Sequence, residues 1–231
     1  EIRGAYGENV SWYYDTAAKK LTVSGEGDMY RYSSESQIPW SAYLSEINEV
    51  FIGDDITSLS DYSFYGATSL KTLTMPLSLS APKNATVWYS CKSIKTVVLK
   101  QGSGIMDDYA DDSVTYYQYT PWYLSRKSIT SFSLSESVLY IGKQAFRACT
   151  PLKTLTLTQC EAIAEDAFLA CTKLNEITLK SRTCEIADWA LFSYKISSYG
   201  IYGGTVLYGY DDSTARDYCD KFGVTFESLG C

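Results

Sequence analysis

Seven cysteines and no histidine bound the chemistry open to this chain. Without histidine there is no ordinary general base near neutral pH, no common metal ligand and no Ser-His or Cys-His nucleophile pair. The cysteines form no C-x-x-C pair and no Cys-only set at zinc-site spacing, and their odd number leaves at least one unpaired in a monomer. Asp107, Asp108, Asp111 and Asp112 offer the oxygen ligands that Ca²⁺ takes. They lack the regular spacing and internal glycine of an EF-hand loop, so they read as a solvated acidic loop. Asp54-Asp55 and Asp211-Asp212 read as turn and cap residues. Paired carboxylates hydrolyse glycosides when held roughly 5–9 Å apart in a cleft, whereas the acids here fall mostly in turns. With no convergent catalytic set, we expect no enzyme, no metal and no cofactor.

The elements that carry these residues follow from a repeat. An apolar-x-x-apolar-x-apolar triplet occurs at Ile47/Val50/Ile52, Leu70/Leu73/Met75, Ile94/Val97/Leu99, Ile129/Phe132/Leu134, Leu152/Leu155/Leu157 and Leu174/Ile177/Leu179. Its first members stand 23, 24, 35, 23 and 22 residues apart. A seventh, weaker copy has Gly203, Val206 and Tyr208. Six residues before a triplet stands a large apolar residue (Phe64, Trp88, Phe146, Phe168), and three residues after that a small one (Ala67, Cys91, Cys149, Cys171). Ile-x-x-x-Ala leads into the aromatic at Ile141/Ala145 and Ile163/Ala167, and recurs at Ile186/Ala190 ahead of Leu191. Each unit reads as a short strand, a turn and a tight helical or 3₁₀ return. No unit can bury its apolar face alone, so stacking at about 4.8 Å per unit must build a parallel sheet over a continuous core. The cysteines of the small-residue ladder then read as compact buried hydrophobes.

The segment from Leu139, LYIGKQAFRACTPLKTLTL, followed by IAEDAFLACTKLNEITL, resembles the BspA-type leucine-rich repeats of bacterial surface proteins. The ending from Thr205, TVLYGYDDSTARDYCDKFGVTF, resembles the strand–helix–strand cap that closes many such arrays. The opening GENVSWYYDTAAKKLTVSGEGDM resembles the β-hairpin that begins them in gut Firmicutes. The fold expected is therefore α/β: a right-handed leucine-rich-repeat solenoid with one parallel sheet of six to seven short strands and short helical or 3₁₀ returns. A β-hairpin caps the N-terminus and a strand–helix–strand unit caps the C-terminus. The resemblance to proteins of anaerobic Firmicutes also leads us to expect no disulfides, although Cys160 and Cys184 fall near one another on adjacent turns and Cys219 could reach Cys231.

The second unit departs from the pattern around Lys83 to Trp88, where Pro82 intrudes, and residues 101–128 interrupt the array. That interruption has an internal echo. Gly25-x-Gly27-x-Met29 recurs as Gly102-x-Gly104-x-Met106, and Pro39-Trp40 and Pro121-Trp122 stand at matching distances from Ile47 and Ile129. We read a duplicated module in one solenoid over residues 1–231: hairpin and entry segment 1–46, repeats 47–100, duplicated entry segment 101–128, repeats 129–200 and cap 201–231. Proline fixes φ near −65°, and a tryptophan so held most simply plugs a flank of the aliphatic stack, so Trp40 and Trp122 are expected to be buried. At the ends, Val10 to Tyr14 and Leu21 to Ser24 alternate as hairpin strands, and Asp212 or Ser213 begins a helix to about Phe222 with Gly223 beyond it.

The chain has 231 residues with 45% hydrophobic and 20% charged, an ordinary globular balance. Its net charge of −7 disfavours nucleic acid as a partner, and no apolar run is long enough to span a membrane. The face of each strand turned from the core carries Glu49, Phe51, Thr72, Thr74, Thr96, Val98, Ser131, Ser133, Thr154, Thr156, Glu176 and Thr178. This flat hydroxyl strip suits a protein or glycan partner, although threonine also simply favours strands. The family resemblance implies an extracellular or cell-surface adhesin that binds host or cell-surface protein. Two alternatives stand beside it. One is a carbohydrate-binding module using Tyr30, Tyr32, Tyr116, Tyr117 and Tyr119, in a chain with 21 tyrosines. The other is a structural spacer in a larger surface protein. The chain begins at Glu1 without a leader and ends at Cys231 without an anchor, as expected of a mature or trimmed chain.

Overall fold

The computed structural model describes residues 2–79, 83–100, 105–106, 118–191 and 204–231. Each triplet becomes a strand: Glu49–Ile52, Thr72–Pro76, Thr96–Lys100, Ser131–Leu134, Thr154–Leu157 and Glu176–Leu179, followed by Val206–Gly209. Within the six full triplets the second and third apolar positions face inward; the expectation fails for the seventh copy, where Leu207 and Gly209 face inward and Val206 and Tyr208 outward. Val50, Leu73, Val97 and Ile177 are fully buried, and one hydrophobic cluster runs from Tyr6 to Val224. Every pairing between the triplet strands is parallel, with Val50 beside Leu73, Leu73 beside Val97, Val97 beside Phe132 and Leu155 beside Ile177, whereas Lys83–Asn84 and Gln118–Tyr119 in the returns pair antiparallel.

Two expectations need correcting. The first is a single sheet through all the triplets. One sheet ends at Ser131–Leu134 and a second, four-stranded one begins at Thr154–Leu157. The break coincides with Phe132, which stands where the other units carry Val, Leu or Ile. Its ring packs edge-on to Phe146 at 4.8 Å and to Trp122 at 5.5 Å, and needs more room than an aliphatic stack provides.

The second correction concerns the returns. In the later units they are two-residue strands, Tyr140–Ile141, Ala162–Ile163 and Glu185–Ile186, which join Ile105–Met106 in a parallel sheet of their own. Turns follow rather than helices. Two residues before the aromatic, Tyr62, Gln144 and Asp166 have φ of 65°, 58° and 57°. Two residues after it, Gly66, Ser90, Ala148 and Ala170 have φ of 82°, 70°, 56° and 61°. A left-handed residue on either side of the ring ends any right-handed helix. Backbone bonds to the next unit stabilise these turns, such as Ala148 N–H to Leu169 C=O at 2.7 Å and Phe146 N–H to Ala167 C=O at 2.9 Å.

The aromatic ladder itself forms as stacked rings: Phe64 on Trp88 at 4.5 Å and 12°, and Phe146 on Phe168 at 5.2 Å and 3°. Among the described residues the 3₁₀ turns are short, at Glu35–Gln37, Ser41–Glu46, Leu77–Leu79 and Tyr123–Ser125. A four-residue helix, Ala85–Trp88, lies in the irregular second unit.

The N-terminal hairpin, Asn9–Asp15 with Lys20–Asp28, carries a third antiparallel strand, Ile2–Ala5. Its last strand joins the repeat sheet directly, Leu21 lying parallel beside Val50. That strand turns at Gly25, whose φ is 111° and where a Cβ would stand 1.9 Å from the Asn9 carbonyl oxygen, so glycine is required. Beyond the turn it pairs with Ile56–Ser58. At the other end Ser213 caps Thr214–Phe222, Gly223 closes the helix at φ 68°, and Thr225–Ser228 lies parallel to Val206–Gly209.

Candidate functional site

The outward positions of the strands form two rows across the first sheet. One runs Lys20, Glu49, Thr72, Thr96, Ser131, and the other Thr22, Phe51, Thr74, Val98, Ser133. In the second sheet the rows continue as Thr154, Glu176, Val206, Thr225 and Thr156, Thr178, Tyr208, Glu227. All twelve residues expected on this face therefore lie on it, but on two sheets. Lys20, Thr22, Val206, Tyr208, Thr225 and Glu227 extend it at both ends. The alternation of Lys20 and Thr22 with buried Leu21 and Val23 was the signal for the first of these.

The face is graded. Glu49, Phe51, Thr72, Thr74, Thr96, Val98 and Thr178 are half-buried, whereas Ser131, Ser133, Thr154, Thr156 and Glu176 are exposed. In the first half, charges gather around Phe51. Lys100 Nζ sits 4.2 Å from the ring centroid and 2.8 Å from Asp54, while Lys20 Nζ sits 5.8 Å from the ring and 2.6 Å from Glu49. Exposed ion pairs of this kind contribute little by themselves. A cation near an aromatic ring adds about 0.5–1 kcal/mol at an exposed site, enough to bias the ring's position. Chemically the face offers hydroxyl donors and acceptors and two aromatic rings, Phe51 flanked by ammonium groups and Tyr208 in the second sheet.

The other candidates are dispersed. The Asp107–Asp112 cluster, Tyr116 and Tyr117, and the side chain of Tyr119 lie outside the described residues. Tyr30 is exposed, but Tyr32 is half-buried and stacks on buried Tyr6 at 5.4 Å. Asp212 pairs with Arg182. Among the described residues no three metal-ligating side chains come together, and no helix is long and apolar enough to cross a membrane.

All seven cysteines are free thiols, six of them buried. In the ladder, Cys91 Sγ donates to the Phe64 carbonyl at 3.2 Å and Cys171 Sγ to the Phe146 carbonyl at 3.0 Å. Burial pushes both of these thiols up to about 12, and Cys149 is raised for the same reason. These thiols stay protonated at physiological pH and are poor nucleophiles. Trp40 and Trp122 are buried, as expected. Each indole N–H donates to a backbone carbonyl 23 residues on, Ser63 at 2.7 Å and Ala145 at 3.0 Å.

The family model for the BspA type leucine rich repeat region matches residues 39–119 and 121–206 with six copies. The chain belongs to the BspA-type leucine-rich repeat family. Three solved bacterial structures are similar to it. A leucine-rich repeat protein from Eubacterium ventriosum is 14% identical, with a TM-score of 0.35, and aligns over 100% of this chain and 68% of that one. One from Bacteroides ovatus is 18% identical, with a TM-score of 0.47, and aligns over 91% and 54%. A leucine rich cell surface protein from Faecalibacterium prausnitzii is 13% identical, with a TM-score of 0.26, and aligns over 90% and 45%. No curated relative matches the chain. Membership of the BspA-type family favours a protein-binding or structural role, and its repeats account for the mostly parallel strands and few helices.

Proposed function

We propose that this BspA-type chain is a noncatalytic recognition module, secreted or displayed on a bacterial cell surface, that adheres to a host or cell-surface protein through its outer strand face. On this reading residues 1–231 act as one right-handed capped solenoid. The hairpin and the strand–helix–strand unit shield its end strands, which would otherwise pair with other chains. The observation that carries the proposal is the pair of in-register rows from Lys20 and Thr22 to Ser131 and Ser133, resumed from Thr154 and Thr156. A pleated surface of small hydroxyl side chains lets a partner's backbone and polar groups approach closely. Phe51, with Lys20 and Lys100 beside it, supplies an aromatic side chain of the kind enriched in protein interfaces.

The test is binding to a panel of immobilised host extracellular-matrix proteins by the wild type and a Ser133→Arg/Thr156→Arg variant. Both positions are exposed, so folding should be retained. At least a tenfold loss of affinity with an unchanged melting temperature is expected. Undiminished binding to the same protein would remove the strand face as the site. A second reading, glycan binding, rests on Tyr89, which is 51% exposed and stacks on Tyr65 at 5.0 Å and 16°. Retention on a glycan array that is lost in Tyr89→Ala, with no matrix-protein binding, would favour it. The remaining alternative, a structural spacer, predicts neither.

A further inference from the structure

We propose that Cys160 and Cys184 are the site of a disulfide, formed on oxidation, that staples the last repeat to the one before it. The inference is independent of the outer strand face. Two strand pairings frame the site: Leu157 lies beside Leu179, and Ala162 beside Glu185. Between these pairings the earlier unit spans five positions and the later one six, so the later unit carries one extra residue. Counted back from the nearer pairing, Ala162 with Glu185, Cys160 stands two residues before and Cys184 one, so the cysteines are offset by one residue instead of lying directly abreast. Adjacent parallel strands stand about 4.8 Å apart and rise about 3.3 Å per residue, so an offset pair has its Cα atoms about 5.8 Å apart. That is near the commonest disulfide separation, about 5.5–6 Å.

Both sulfurs are turned to the start of the following strand: Cys160 Sγ donates to the Ala162 carbonyl at 3.3 Å, and Cys184 Sγ stands 4.0 Å from the Glu185 carbonyl. The Glu185 amide donates to the Glu161 carbonyl at 2.7 Å and holds the two segments together just beyond the cysteines. Thr214, the first residue of the terminal helix, donates its hydroxyl to the Cys184 carbonyl at 2.6 Å, so the cap rests on one member of the pair.

The ladder cysteines show why this pair is distinct. Cys149 and Cys171 occupy equivalent positions of successive units. In-register stacking keeps Cβ atoms a full strand spacing apart, about 4.8 Å, beyond the roughly 3.5–4.5 Å that a disulfide takes. Around the proposed pair the chemistry runs the other way. The Cys184 side chain lowers the Cys160 thiol from its ordinary value, and Cys160 in turn raises that of Cys184. Cys160 is therefore the better nucleophile of the two. Both side chains are buried, yet Gln159, Glu161, Thr183 and Glu185 on either side are exposed, so a local opening admits a small oxidant.

With hydrogen peroxide as oxidant, the Cys160 thiolate attacks one peroxide oxygen and the O–O bond breaks. The departing hydroxide takes up the thiol proton as water, leaving a sulfenic acid at Cys160. The Cys184 sulfur then displaces the sulfenic hydroxide, which leaves with the Cys184 proton as a second water. Two thiols and one peroxide give one disulfide and two waters.

Proteolysis with trypsin and a Glu-specific protease places every cysteine in its own peptide, with Cys160 in 154–161 and Cys184 in 183–185. The purified full chain is treated with hydrogen peroxide in a Cys231→Ser background, which removes the exposed thiol. Non-reducing digestion should recover peptides 154–161 and 183–185 joined as one species. The melting temperature should rise by roughly 5–10 °C, as expected for a cross-link closing a loop of this size in a chain of this length. Dithiothreitol should reverse the rise, and Cys160→Ser should abolish it. A different linked pair, or two unlinked and over-oxidised peptides, would overturn the assignment. A correct link without a thermal shift would overturn the staple.

Discussion

Around Trp40 the indole meets the rings of Tyr6, Trp12 and Phe64, at 4.4, 5.7 and 6.1 Å, whereas around Trp122 the described rings are Phe132 and Phe146, at 5.5 and 6.4 Å. The anchors are otherwise alike. Trp40 has φ −104° and ψ 16°, Trp122 has φ −100° and ψ −2°, and each precedes a 3₁₀ turn. Both indoles bond the carbonyl just before a ladder phenylalanine.

The divergence comes three residues later. Tyr43 stacks on Tyr14 of the hairpin at 4.9 Å. Its counterpart Ser125 is buried, donates to the Cys91 carbonyl at 2.6 Å and accepts from the Ile94 amide at 3.1 Å. Each Pro-Trp segment, a bracket for the repeats after it, therefore holds its own unit by one fixed device and meets whatever precedes it by a variable one: a ring where a hairpin precedes, a hydroxyl where a repeat does.

The largest effects should come from the shared device. Trp40→Ala and Trp122→Ala are each expected to cost about 3–5 kcal/mol, with Trp40 at the upper end because, among the described residues, more rings enclose it. Denaturant unfolding of the two variants decides the order. A larger loss at Trp122 would show that ring contacts do not set the difference. Next comes the variable device. Ser125→Ala strands a buried carbonyl and a buried amide, which typically costs about 1–3 kcal/mol, read by the same method. Loss of stability below the error of that measurement would show that water replaces the hydroxyl and that the two brackets differ less than their contacts imply. The smallest effect lies in the small-residue ladder, where Ala67 in the first half faces the same task as Cys149 in the second. Cys149→Ala copies the first half and should cost less than about 1 kcal/mol, whereas Cys149→Leu overpacks the position at about 1–3 kcal/mol. Equal melting temperatures for wild type and the leucine variant would show the site to be open.

Much of the fold is legible in the residues. The triplets place Val50, Leu73 and Val97 inward and Phe51, Thr74 and Val98 outward, because a strand's two faces alternate residue by residue. The terminal helix is equally plain, since Ser213 and Gly223 carry its start and stop in their own chemistry. The returns were not legible. Gln144, Ala148, Asp166 and Ala170 adopt left-handed backbone without being glycine, held there by contacts with the next unit, so no residue type announces the turn.

The candidate face divides in the same way. Its membership follows from period-two alternation, which the sequence determines alone. Its extent does not, because the entry of Lys20 and Thr22, the break after Leu134 and the resumption at Thr154 depend on which backbone lies beside which. The same holds for Cys160 and Cys184. Their spacing places them on adjacent turns, but the one-residue offset that sets them diagonally across from one another arises only when both units are pinned by their strands. Alternation is encoded locally, residue by residue, whereas register is a relation between segments and forms only when the units stack.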